Sequence, residues 1–165
     1  MYLTKSVALI VAAASMSAIL NGAPADLAVT GSMAAQMDPK TASVNCHLTR
    51  SGGTLFHYGA HLQSGKATGL GSKFLSVVFE IVPYNGSGKY DAAVKVAGDT
   101  PVEVTLHTEG IPGIQEKWLT TSGSVVISSA SGQAVSGTVE ADLSSTQKKS
   151  GAIHLAGTWS CKLDL

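Results

Sequence analysis

The chain has 165 residues, with 11 basic against 11 acidic side chains, 13% charged residues overall and 18 glycines. So balanced and sparsely charged a composition excludes a disordered chain, an acidic tail protein and a basic nucleic-acid binder, each of which needs a charge excess. Apolar residues reach 44% and aromatics only 5%, so a core must be built mainly from Val, Leu, Ile and Ala.

Met1 to Lys5 carries one positive charge and leads into an uncharged apolar run from Val7 to Leu20. Ala23-Pro24-Ala25 then supplies small residues at both recognition positions of a signal peptidase. Residues 1–25 read as a secretory signal with a helical apolar stretch, and the mature chain starts near Asp26. The alternative is an uncleaved anchor, because Ser6 to Ala25 spans roughly 20 uncharged residues, enough to cross a bilayer. Leu20-Asn21-Gly22 has the spacing of a lipoprotein cleavage box, but Ala23 stands where the lipidated cysteine would be, which excludes lipid at that point. Without Lys5, 10 basic groups face 11 acidic ones. The mature chain then has no bias towards DNA, RNA or anionic lipid, so no nucleic-acid partner and no stable membrane insertion after cleavage are expected. The predicted location is extracellular, with a periplasmic or membrane-tethered form as the alternative.

Residues 26–42 lack alternation and read as a flexible N-terminal segment, leaving 43–165 as a single β-domain. Val44, Cys46 and Leu48 alternate with polar neighbours as one face of a first strand. His57 and His61 have the i, i+4 spacing of paired helical metal ligands, but Gly52, Gly53 and Gly59 oppose a helix there. On a strand the two imidazoles share a face about 13 Å apart, beyond chelating reach. Leu75, Val77, Phe79 and Ile81 form an inward row, and Val78 and Val82 opposite suggest a strand covered on both sides. Asn85-Gly86-Ser87-Gly88, between Tyr84 and Tyr90, is a strong hairpin signal. Ala92, Val94 and Val96, and then Val102, Val104 and Leu106, supply two further alternating runs.

Residues 109–123 form a long connection without alternation, containing Ile111, Ile114, Trp118 and Leu119. Large apolar side chains on a connection either fold back to cap the core or stay exposed as a candidate binding loop. Capping suits a core with few aromatics. Val125 and Ile127, and then Val139, Ala141 and Leu143, continue the series. The last strand is the clearest, with Ile153, Leu155, Gly157, Trp159, Cys161 and Leu163 on one face.

Both cysteines fall on inward faces of the first and last strands of this domain, and no Cys-x-x-Cys spacing points to metal or redox chemistry. In an oxidising compartment they are expected to pair as a structural Cys46–Cys161 disulfide. It closes a loop of roughly 115 residues, for which chain entropy gives 4–5 kcal/mol. Seven or eight short strands separated by Gly/Ser-rich turns imply an all-β antiparallel sandwich, with a small closed barrel as the alternative.

Tyr84-Asn85-Gly86-Ser87-Gly88-Lys89-Tyr90, Trp118 ahead of Gly123-Ser-Val-Val, Ser136-Gly-Thr-Val-Glu-Ala-Asp-Leu143 and Gly157-Thr-Trp-Ser-Cys161 give a family likeness over residues 75–162. In these landmarks the chain resembles small secreted or lipid-anchored bacterial β-domain proteins of uncharacterised function. The resemblance implies an exported β-rich domain and carries over no catalytic residue.

Catalytic chemistry is sparsely represented. Gly-x-Ser-x-Gly is absent, and Ser145 and Lys148 form the only Ser-x-x-Lys, in a polar turn. Glu140 and Asp142 share a strand face about 7 Å apart, within the span of glycosidase carboxylates but without cleft-lining aromatics. No phosphate-cradling loop follows Gly69-Leu-Gly71. No catalytic residue, metal site or cofactor is therefore assigned. The leading reading is a secreted, non-enzymatic binding module for a protein or glycan, acting through Ile111, Ile114, Trp118 and Leu119. Its alternatives are a carrier of a small apolar ligand in a barrel cavity and, more weakly, a secreted hydrolase.

Overall fold

Period-two alternation fixes which side chains turn inward, but not whether the strands stack as two sheets or roll into one. A computed structural model describes residues 26–37, 43–50, 54–63, 74–92, 102–109, 116–147 and 151–164. The expected signal, the Val94–Val96 run, Ile111, Ile114 and Lys148 lie outside the described residues. Ten strands follow in order: β1 (Asp26–Gly31), β2 (Ala35–Gln36), β3 (Val44–Thr49), β4 (Leu55–Gln63), β5 (Phe74–Ile81), β6 (Gly88–Asp91), β7 (Val102–Glu109), β8 (Lys117–Ser131), β9 (Ala134–Ser145) and β10 (Ala152–Asp164).

The sheet runs β1-β2-β4-β3-β10-β9-β8-β7-β5 and closes because β5 returns to β4. Strands β3, β4, β5, β7, β8, β9 and β10 thus form a closed seven-stranded barrel to which β1, β2 and β6 are added. This corrects the expected sandwich in favour of the barrel. Two pairings decide it. β4 and β5 keep unbroken register from Phe56↔Ile81 to Gln63↔Phe74. β3 joins β10 in parallel, Leu163↔Cys46 and Asp164↔His47, which also departs from the all-antiparallel expectation.

The flexible segment expected at residues 26–42 is corrected over its described part. β1 pairs with β10 from Asp26↔Thr158 to Gly31↔Ile153, and β2 bridges β1 to Gln63 of β4. Leu27, Val29, Ala35 and Met37 are buried in the core. The alternation Leu27/Val29 covers too few residues to stand out before Gly31.

Residues 117–123 belong to β8, not to a connection. Opposite β9 the register passes from Thr120↔Leu143 to Ser122↔Asp142, leaving Thr121 as an extra residue. Such a bulge exchanges inward and outward positions. Trp118 and Thr120 point inward before it and Val125 and Ile127 after it, so a strand of 15 residues reads as irregular. Just before the bulge, the Thr120 hydroxyl donates to the Val104 carbonyl at 2.6 Å and accepts from the Val104 amide at 3.2 Å. These bonds satisfy the buried backbone of β7 where β8 leaves it for β6.

The turn at residues 85–88 forms, with Gly86 at φ 88° and the Tyr90 hydroxyl donating to the Gly86 carbonyl at 2.7 Å. It does not make the expected hairpin, because β6 pairs with β8, from Gly88↔Ile127 to Asp91↔Ser124. Pro83, two residues after β5, has no amide with which to extend that ladder. Val82 is 42% exposed, so the outer face of β5 is not covered at that end, contrary to expectation.

Cys46 and Cys161 form the expected disulfide, with Cα atoms 6.1 Å apart. Such a bond fits an oxidising extracellular or periplasmic setting. Among the described residues no helix is long and apolar enough to cross a membrane.

Candidate ligand site in the barrel lumen

The inward rows meet in layers set by register. Tyr58 on β4 lies opposite Phe79 on β5, which lies opposite Val104 on β7. The next layer is Ala60, Val77 and Trp118, with the β7 backbone at Leu106 paired between Val77 and Trp118. From the other side of the barrel comes Trp159, opposite Gly137 on β9. A Cβ at Gly137 would collide with the Val126 carbonyl and come within 3.0 Å of the Trp159 ring, so the glycine makes room for the indole. Gly137 thus serves close packing here.

Tyr58 stacks on Phe79 with centroids 4.5 Å apart. Trp159 contacts Tyr58 at 5.3 Å, Phe79 at 5.1 Å and Phe56 at 5.7 Å. From Phe56 the aromatic column continues to Tyr84 at 5.3 Å and on to Tyr90 at 6.5 Å, reaching the half-buried turn outside the lumen. Burial pushes the Tyr84 phenol up, and the neighbouring Tyr90 adds to the effect.

Among the described residues, three polar atoms in this interior have no hydrogen-bond partner: Tyr58 Oη, Trp118 Nε1 and Trp159 Nε1. All three residues are almost completely buried. An indole N–H can only donate. Burial also drives the Tyr58 phenol far above its ordinary range, so its hydroxyl stays protonated and able to donate. Each unpaired buried donor costs about 1–3 kcal/mol, which makes three in one small lumen chemically conspicuous. An acceptor brought to them would be bound in a low dielectric, where hydrogen bonds are strongest.

Of the residues singled out in the sequence, Trp118 is 0% exposed and faces the lumen, while Leu119 is 37% exposed on the outer wall. The two point to opposite sides of β8. Tyr58 and Phe56 are not among the site residues the sequence suggests, although Phe56, Tyr58, Ala60 and Leu62 alternate there, because His57 and His61 between them carry the more conspicuous metal-ligand spacing.

His47, His57, Glu80, Asp142 and His154 lie off the lumen. His47 and His57, opposite each other on β3 and β4, stack with centroids 4.6 Å apart, and His57 Nδ1 lies 3.0 Å from Glu80 Oε1. On the far wall His154 Nδ1 is 2.8 Å from Asp142 Oδ1, and the Ser122 hydroxyl donates to Asp142 Oδ2 at 3.0 Å. These bonds, that from His154 first, hold the Asp142 carboxyl below its ordinary range. Serine and histidine bind the same carboxylate instead of each other, so the imidazole is not placed to activate the hydroxyl as a nucleophile. Asp142, Glu140, His154, Lys89 and Ser124 border an open groove of about 230 Å³. Among the described residues no three or more His, Cys, Asp or Glu side chains converge on a point that could hold a metal ion.

No protein-family model, curated protein or solved structure matches the chain.

Proposed function

We propose that this chain is an exported, non-enzymatic carrier that holds a small, mainly apolar ligand bearing hydrogen-bond acceptors in its barrel lumen. The observation that carries this reading is the set of unpaired donors on Tyr58, Trp118 and Trp159 inside a closed, aromatic-lined barrel. A lumen that served packing alone would be better filled by Phe at these positions, since apolar replacement of an unpaired buried polar group is neutral or stabilising. Burial of Trp118 removes the largest apolar anchor of the outer binding loop, which moves the carrier ahead of the surface interaction module. The module retains one supporting feature, the polar groove beside Asp142 and His154.

Native mass spectrometry of the oxidised protein, followed by solvent extraction and mass analysis of the extract, tests the proposal. The expected result is one small organic molecule per chain, with occupancy reduced at least about tenfold in Tyr58→Phe, the loss of one well-placed buried hydrogen bond. The same variant, stripped of ligand, should unfold at equal or higher denaturant concentration than the stripped parent. A bare chain mass and an empty extract would remove the carrier reading and leave the groove as the place to look for a protein or glycan partner.

A further inference from the structure

Strand β3 sets two outward positions, Asn45 and His47, beside two outward positions of β4, Gly59 and His57. Register, not spacing along the chain, makes these neighbours: His47 lies directly opposite His57, and Asn45 directly opposite Gly59. Residues paired in this way have Cβ atoms about 4.5–5.5 Å apart, close enough for two imidazoles to share one ion, whereas His57 and His61 on a single strand stand about 13 Å apart. The rings of His47 and His57 already stack, with centroids 4.6 Å apart and planes 23° from parallel.

Glu80, opposite His57 on β5, holds His57 Nδ1 at 3.0 Å. A carboxylate can only accept, so it draws the imidazole proton to Nδ1 and leaves the lone pair on Nε2. Metal-binding histidines are usually arranged in this way, with a carboxylate behind the far nitrogen that fixes the tautomer and raises the basicity of the other. Nε2 in turn faces the space above Gly59: a Cβ there would collide with Asn45 Oδ1 and come within 3.5 Å of His57 Nε2. An imidazole lone pair and an amide oxygen thus border one point, which the glycine keeps clear of any side chain of its own. His57 is half-buried and fixed by Glu80, while His47 and Asn45 are exposed and turn towards an ion at little cost.

We infer that His47, His57 and Asn45 form a surface site for a borderline divalent transition-metal ion, Zn²⁺ or Cu²⁺, with Glu80 as the positioning residue behind His57. Imidazole suits both ions, and an amide oxygen is an acceptable companion ligand. A tetrahedral ion holds two ligand nitrogens about 3.3 Å apart, so the stacked rings tilt on binding, and His47, the exposed member, makes most of the movement. Among the described residues no third His, Cys, Asp or Glu converges on the same point. Water therefore completes the shell, which leaves the ion exchangeable and open to a further donor from solution. The site lies off the lumen and is independent of the carrier reading.

The test is a zinc titration of the oxidised full chain, followed at the histidine ring nitrogens by NMR and by calorimetry for affinity. Before zinc is added, neutral His57 should carry its proton on Nδ1. One Zn²⁺ per chain should then bind, shifting ring nitrogens of His47 and His57 together while those of His61 and His154 stay in place. Affinity should fall at least about tenfold in His47→Gln, which removes a ligand, and in Glu80→Gln, which weakens the support behind one, with the far-ultraviolet signal of both variants unchanged. With Cu²⁺, electron paramagnetic resonance should show coupling to two imidazole nitrogens in the parent and to one in His47→Gln. Ring nitrogens that do not move up to about 1 mM zinc would overturn the site. So would a proton on His57 Nε2 in the metal-free chain, or a zinc affinity that His47→Gln leaves unchanged. The parent's own nitrogen shifts decide the outcome even where a variant folds poorly.

Discussion

At the scale of single residues, Asp142 shows how a surface carboxylate is tuned. The His154 and Ser122 bonds favour its charged form and hold its titration below the ordinary range. A lowered folded-state value means that the folded chain binds this proton less readily than the unfolded chain does. The stabilisation is therefore complete above the ordinary carboxylate value and is lost as pH falls through the lowered one. In His154→Ala, a carboxyl-detected NMR titration should find the Asp142 midpoint moved up towards the ordinary range. An unmoved midpoint would mean that Ser122 alone sets it. Tyr58 is the buried counterpart: there burial acts alone, and the result is a hydroxyl kept neutral and unpaired.

At the scale of elements, β1 and β2 behave as wall, not as tail. Leu27 is 0% and Val29 1% exposed, each worth about 1.5–3 kcal/mol of burial, and Ala35 and Met37 add to them. A chain beginning at Ser43 should be less stable than one beginning at Asp26 by at least about 3 kcal/mol in urea unfolding. A difference under about 1 kcal/mol would return the segment to the status of an appendage. The strands that could be read from sequence were those with long, uninterrupted alternation, such as the inward rows of β5, β9 and β10. β8 was hidden in its first half because the extra residue at Thr121 exchanges its two faces. β1 was hidden because two inward residues are too few to establish a period. The lumen was legible as separate inward residues, Phe56, Tyr58, Phe79 and Trp159, but their meeting depends on which strands become neighbours, and period-two alternation carries no information about that. The disulfide was legible because both cysteines occupy inward positions of clear strands.

At the scale of the molecule, closure depends on partners far apart in the chain. The pairings β1–β10, β3–β10 and β8–β6 all join segments separated by dozens of residues or more. Such long-range ladders slow folding, because loop-closure entropy is lost before the contacts that offset it form. With the disulfide intact, refolding from denaturant followed by tryptophan fluorescence should take milliseconds to seconds. Completion within microseconds would mean that the seams close outside the rate-limiting step.

The last strand has three partners, since β10 is flanked by β9 on one side and by β1 and β3 on the other. A chain emerging from its N-terminus, whether from a ribosome or through a membrane pore, therefore presents β1 and β3 long before their shared partner exists. Leu27, Val29 and Cys46 must wait without that partner until β10 arrives. Vectorial production thus leaves an interval in which holding factors have a target and in which the Cys46 thiol meets other thiols before Cys161. A chain stopped before Ala152 would extend that interval indefinitely.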